Sequence, residues 1–302
     1  MYEGNTFIMS THPPKRFRAT ASVLALAALV GGGLSACAEA ATSAAEQGPS
    51  PESVHLISNN GHELAFQVIP GQSPAIVLDA GGGLDSSEWD TIAPKLAQST
   101  GSMVITYDRA GEGRSDEVPG PWKVEDAVAD LQAGLTELGV TQDVVLVSHS
   151  LAGEIATEFA RTAPGWIAGA VLVDASLPEF YTDDQIDKIV AANSQQIAAL
   201  QQQPQTRETR QLIAQAVEYG PNHRAYHQMS WPGDVPATAI VSSQTPFDTA
   251  EDAQLWKDAQ AQFVSAAPNR QLVVADPSSH DIPLDRPDVV ITAVENIVDQ
   301  VR

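Results

Sequence analysis

The chain has 302 residues, with 38 Asp and Glu against 16 Lys and Arg and a formal net charge of −22. That balance excludes a nucleic-acid binder working through phosphate contacts, which need a basic surface. Hydrophobic residues make up 43% of the chain, which excludes global disorder and suffices for one large domain or two small ones.

Residues 1 to 14 precede a basic cluster, Lys15-Arg16-Phe17-Arg18, and the apolar run ATASVLALAALVGGGLSAC follows. Basic region, short apolar stretch and small-residue exit form the pattern of an export signal. The run is too short and too glycine-rich for a comfortable transmembrane span. Cys37, the single cysteine, stands directly after Leu34-Ser35-Ala36. That placement resembles the lipobox of bacterial lipoproteins. The resemblance implies cleavage before Cys37, lipidation of that residue and attachment to a membrane of the bacterial cell envelope. An ordinary signal peptide with an incidental cysteine is the alternative, and either Met1 or Met9 can serve as the start. With Cys37 so used, the mature chain forms no internal disulfide. Residues 37–52 are mostly Ala, Glu, Ser, Gln, Gly and Pro and read as a flexible tether. The expected organisation is a signal peptide at 1–36, the tether at 37–52 and one folded domain at 53–302.

Within that domain, SVHLIS and HELAFQVI flank Asn59-Asn60-Gly61, which predicts a β-hairpin. AIVLDA (75–80) reads as a buried strand running into Gly81-Gly82-Gly83. A helix over 87–98 follows, with Pro94 interrupting its pattern, and then the strand SMVITYD. Residues 124–138 have helical periodicity that stops at Gly139. A strand over 143–148 leads into a helix over 151–163, and IAGAVLVDAS is a strand ending at Asp174. The Gln- and Ala-rich stretch from Pro178 to Trp231 reads as mostly helical. ATAIVSS and RQLVVAD are the last strands, with helices over about 250–266 and 287–301. Alternating strands and helices with continuous Val/Ile/Leu runs predict an α/β fold, a mostly parallel sheet covered on both faces. The helical stretch at about 177–234 has no strand partner and is expected above the sheet as a cap. In such sheets the chemistry sits at the carboxyl ends of the strands.

One of those ends carries a signal. In DVVLVSHSLAGEIATEFA, an apolar strand runs into Ser148-His149-Ser150 and then into helix. A serine on a sharp strand-to-helix turn presents its Oγ above the sheet, and the strain of the turn demands small neighbours two residues away on either side. Ser148 and Ala152 meet that demand. A helix-start residue acting as an N-cap is the plain alternative for Ser150.

Four stretches in order, LDAGGG, TYDRAGEGRSD, SHSLAG and SSHDIPLDRPDVV, resemble the α/β-hydrolase superfamily over about residues 53–300, and within it capped serine hydrolases. The resemblance implies an eight-stranded α/β-hydrolase fold, a Ser–His–acid triad, a backbone oxyanion hole and no metal or organic cofactor. Ser150 takes the nucleophile position and His280 that of the base. The acid most often follows the seventh strand, but that position falls near Pro246. Asp174 at the end of the sixth strand is the first candidate, and Asp248 or Asp252 the second. Leu151 and Gly82 are the expected oxyanion donors, with Gly83 the next choice. Serine rather than aspartate at the turn separates the chain from related haloalkane dehalogenases and epoxide hydrolases.

The other conspicuous residues have plainer readings. Asp108-Arg109 and Arg114-Ser115 are expected to shape their loop through an ion pair. His149 adjoins Ser150 but faces away on the turn. His223 and His227 have a metal-compatible i, i+4 spacing without a visible third ligand. Tyr226, Met229 and Trp231 are candidates for an acyl pocket or for packing. The expected activity is hydrolysis of a small carboxylic ester-like substrate through an acyl-enzyme. C–C bond hydrolysis, lactone opening and perhydrolysis remain open, as does a non-catalytic lipid-anchored binding protein.

Overall fold

The structure is a computed structural model and describes residues 53–302. The expected signal peptide, Cys37 and the tether lie outside the described residues. Strands β1 (Ser53–Asn59) and β2 (His62–Ile69) pair antiparallel, with Asn59 opposite His62. The two turn residues, Asn60 and Gly61, have φ of 47° and 86°. Both positive values fit the tight hairpin turn that Asn-Gly favours. Next come β3 (Gln72–Asp79), α1 (Ala93–Thr100), β4 (Ser102–Tyr107), α2 (Val124–Glu137), β5 (Val144–His149), α3 (Ala152–Thr162) and β6 (Ile167–Val173). Three helices follow without a strand: α4 (Asp183–Gln201), α5 (Arg207–Val217) and α6 (Tyr219–His227). The chain closes with β7 (Ala237–Ser242), α7 (Ala250–Ser265), β8 (Arg270–Ala275), the short α8 (Ile282–Asp285) and α9 (Pro287–Val301).

The eight strands form one sheet in the order β1-β2-β4-β3-β5-β6-β7-β8, parallel from β4 to β8. The α/β-hydrolase fold expected from the sequence is the one observed. β5 shows why its strands read as continuous apolar runs. Val144 and Leu146 pack with α2 and α3, while Val145 and Val147 pack on the opposite face with α1 and α9. A strand buried on both faces has no polar side to alternate with.

The helix expected over 87–98 is instead two elements. Ser86–Trp89 forms a 3₁₀ turn capped by the Asp85 side chain, and α1 begins at Ala93 with Pro94 in its first turn. Proline lacks the N–H and the space that a helix interior requires, so it starts a helix rather than continuing one. The break matters below, because it frees Glu88 to point toward β5.

Candidate active site

β5 and β6 are adjacent and in register, with His149 opposite Val173. The first residue beyond each strand is therefore a neighbour of the other: Ser150 and Asp174. Both have left-handed backbones, φ 53° and 39°. Such a conformation costs a non-glycine residue about 1–3 kcal/mol and persists only where surrounding bonds enforce it. Here Ser150 N–H donates to Val173 O, its carbonyl accepts from Gly153 and Ser176 N–H, and Asp174 N–H donates to Ile240 O at 2.6 Å. The turn is also closely packed. A Cβ on Gly153 would meet the Ser176 carbonyl and lie 2.8 Å from Ala175 Cβ. Small residues are thus required there by the chain leaving β6 as well as by the turn itself.

The loop after β8 brings His280 over this edge. Its Nε2 lies 2.9 Å from Ser150 Oγ, and its Nδ1 lies 2.7 Å from Asp174 Oδ2. The ring is 15% exposed, while Asp174 is fully buried. Asp174 takes three further bonds: Ser242 Oγ–H at 2.7 Å on Oδ2, and Ser242 N–H at 3.1 Å and Trp256 Nε1–H at 2.9 Å on Oδ1. Burial pushes this carboxyl up. The bonds from His280, Ser242 and Trp256 more than offset it and hold the group below its ordinary value. An ionised carboxylate is thereby kept against the imidazole. Asp252, the rival acid, has other partners: Lys188 Nζ at 2.6 Å, Gln185 Nε2 at 3.1 Å and Thr249 Oγ1 at 2.5 Å. Asp248 and Asp252 line the neighbouring cavity without bonding His280.

Among the described residues, neither Gly82 N–H nor Leu151 N–H has a protein acceptor. A Cβ built on Gly82 would lie 3.4 Å from Leu151 Cβ, so the two residues adjoin, and both line the cavity with Ser150. The glycine loop is held from below. Arg109 Nη1 donates to Asp79 Oδ1 at 2.5 Å and to Ala80 O, and its Nη2 donates to Gly81 O. Tyr107 O–H donates to Asp79 Oδ2 at 2.8 Å. The ion pairs expected to shape the next loop therefore run Arg109 to Asp79 and, at 3.6 Å, Arg114 to Asp108.

A cavity of about 210 Å³ opens from Ser150 and His280 beneath α4 and α5. Leu151, Phe180, Ile189, Leu200, Leu212 and Phe247 supply its apolar wall. Two pairs of its ionisable lining residues bond each other, Glu154 with His223 at 3.1 Å and Lys188 with Asp252 at 2.6 Å. His223 and His227 do not converge: His223 contacts Tyr219 O and Glu154, and His227 contacts Pro178 O. Tyr226 and Trp231 are packing residues, buried and bonded to Ser176 O and Val235 O respectively. Met229 packs against the cluster around Phe180 and Trp256.

One residue, Glu88, escaped the sequence reading, and His149 was noted there but given no role. His149 does face away from Ser150 Oγ, yet its ring lies 4.9 Å from that of His280, and its Nδ1 is 2.5 Å from Glu88 Oε1. Only the proline break in 87–98 hinted that Glu88 is free to turn inward.

A family model described as the alpha/beta hydrolase family matches residues 76–293. A non-heme haloperoxidase of Rhodococcus erythropolis is 38% identical over 124 residues, 41% of this chain and 44% of that protein. The chain matches between 36% and 45% of the length of the curated relatives it resembles. Among solved structures, a bromoperoxidase from Bacillus anthracis superposes with a TM-score of 0.60 at 18% identity, covering 82% of this chain and 100% of the other. A thermophilic esterase from Thermogutta terrifontis gives 0.57 at 20% identity, covering 83% and 99%. At these identities the likeness is one of fold.

Proposed function

From a chain that belongs to the alpha/beta hydrolase family, we propose a serine hydrolase that cleaves carboxylic esters through Ser150, His280 and Asp174. One observation carries the reading: His280 lies within hydrogen-bond reach of both partners, 2.9 Å from Ser150 Oγ and 2.7 Å from Asp174. Ser150 Oγ attacks the ester carbonyl carbon while His280 Nε2 takes its proton. Asp174 holds Nδ1–H and stabilises the imidazolium. The carbonyl oxygen, now negative, is met by Gly82 and Leu151 N–H. The intermediate collapses, the C–O bond breaks, and His280 returns the proton to the departing alcohol. Water, deprotonated by His280, then attacks the acyl-serine and releases the acid. The apolar cavity beside Ser150 favours a neutral acyl or alkoxy group, and the helices over about 177–234 act as the cap that encloses it.

The haloperoxidase relatives favour one second reading, perhydrolysis, in which hydrogen peroxide replaces water in the last step. Export and anchoring through Cys37 complete the proposal and rest on the pattern of residues 15–37. A Cys37→Ser variant that stays membrane-bound would refute the anchor. For the chemistry, the test is labelling of the purified protein with a fluorophosphonate, with Ser150→Ala and His280→Ala run alongside. Labelling that depends on both residues is expected. Folded protein that labels equally without Ser150, or does not label at all, overturns the reading and favours a binding role.

A further inference from the structure

Glu88 and His149 form an almost fully buried ion pair just behind the proposed site, with side-chain exposures of 9% and 1%. Neither touches the cavity, and neither has a role in the steps above. Their outer contacts reach three different segments. Glu88 Oε2 accepts Gly81 N–H at 2.9 Å, one residue before the proposed oxyanion donor. His149 is covalently next to Ser150. Its Nε2 lies 3.0 Å from the main-chain carbonyl of His280. Glycine loop, nucleophile turn and base loop are thus joined through two side chains.

We propose that the Glu88–His149 pair is a positioning device for this reaction, holding the oxyanion loop and the general base in register with Ser150. This inference rests on the reading of Ser150 and His280 as nucleophile and base. Three features support it. With its N–H on Glu88 and its carbonyl on Arg109, the Gly81 peptide is fixed on both sides, which sets the direction of the following Gly82 N–H. The loop also lies directly on the imidazole, since a Cβ at Gly81 would stand 2.9 Å from His149 Nδ1. Finally, each ring nitrogen of His149 stands against an acceptor, Nδ1 against the Glu88 carboxylate at 2.5 Å and Nε2 against the His280 carbonyl at 3.0 Å. Burial lowers the His149 pKa and raises that of Glu88. The mutual attraction of the pair overrides both effects, so His149 titrates above and Glu88 below its ordinary value. Glu88, His280 and Asp174 are the titratable groups around the ring.

The test compares Glu88→Ala, His149→Ala, the double variant and Glu88→Gln in the full chain. The readouts are p-nitrophenyl ester hydrolysis, the rate of fluorophosphonate labelling and the melting temperature. Glutamine can accept from Gly81 N–H and donate to a neutral His149, which keeps Nε2–H for the His280 carbonyl. It should therefore retain kcat within about tenfold. Each alanine variant should lose about 30- to 100-fold in kcat with KM changed less than twofold, the loss expected when donors are misaimed by about an ångström. Because the two residues act as one link, the double variant should lose no more than about threefold beyond either single one. A variant that fails to fold is replaced in the comparison by Glu88→Gln against wild type at matched folded fraction, where a kcat loss beyond about tenfold would overturn the proposal. Folded alanine variants with kcat within threefold of wild type, a loss confined to KM, or fully multiplicative losses would also overturn it. Failure of wild-type protein to label at Ser150 would instead refute the underlying reading.

Discussion

Replacing Asp174 with asparagine removes one charge and adds two hydrogens in a place where donors already converge. Asp174 accepts from His280 Nδ1 and Ser242 Oγ on one oxygen, and from Ser242 N–H and Trp256 Nε1–H on the other. An asparagine must aim its NH₂ at one of these pairs. Ser242 N–H and Trp256 N–H can only donate, so an amide nitrogen there would leave both unpaired at about 1–3 kcal/mol each. The amide will therefore turn its NH₂ toward His280 and the rotatable Ser242 hydroxyl. Imidazole accommodates this by carrying its proton on Nε2, and that N–H then faces Ser150 Oγ. A ring in this tautomer cannot take the serine proton.

The expected loss is about 10³- to 10⁴-fold in kcat, or about 4–5.5 kcal/mol of barrier, with the fold intact. Single-turnover acylation by a p-nitrophenyl ester measures it without interference from deacylation. Asp252→Asn is the control, since its carboxylate bonds Lys188, Gln185 and Thr249 rather than His280. It should leave kcat within about threefold and affect only the packing of α4 on α7. If folded Asp174→Asn protein acylates within tenfold of wild type, or if Asp252→Asn is the more damaging change, the assignment of the acid is wrong. Stability provides a second check. The Asp174 pKa is depressed by folding, so its contribution is complete above the unfolded value near 4 and is lost as pH falls through the folded value. The melting-temperature gap between wild type and Asp174→Asn should accordingly be widest at neutral pH and close in acid.

Gly81→Ala drives a methyl group toward His149 Nδ1, 2.9 Å away, and Leu84 Cδ1, 3.2 Å away. Fluorophosphonate labelling should slow about tenfold or more while thermal unfolding shifts only a few degrees; an unchanged labelling rate would show that the loop tolerates displacement. In Gly134→Ala, the gain of about 1 kcal/mol in helix propensity is opposed by collision with the Phe66 ring, which is itself stacked on Tyr107 with centroids 5.2 Å apart. Overpacking costs about 1–3 kcal/mol, so the melting temperature should fall or stay level; a clear rise would refute the packing argument.

Local patterns revealed every strand and most of the helices, because strands buried on both faces and capped amphipathic helices each leave a signature within a few residues. Asn60-Gly61 fixed the hairpin, and small residues around Ser150 marked the turn. What the local patterns left open depended on distance through space. That Asp174 and not Asp248 or Asp252 meets His280 follows from β6 lying between β5 and β7, which aligns Asp174 with Ser150 and brings Ser242 to support it. The position after β7 still contributes, but as a serine that donates to the acid. Glu88 was hidden because the helical pattern over 87–98 obscured the break before Pro94.

The two histidines show how one side chain serves two ends on the same sheet edge. Each faces a carboxylate through Nδ1, His280 to Asp174 and His149 to Glu88. The difference lies at Nε2. In His149 it meets a carbonyl, an acceptor that calls for a proton on that nitrogen, so Nε2 is not free to take one. In His280 it meets a hydroxyl, which can donate or accept, and the ring opens to the cavity. A protonated His149 this close would oppose the imidazolium that the proposed reaction forms on His280. With ring centres 4.9 Å apart and an effective dielectric near 20, the repulsion is about 3 kcal/mol. Glu88 supplies the compensating charge on the far side of His149. Under the proposed reaction, a carboxylate beside each histidine lets a protonated ring stand next to one that must become protonated.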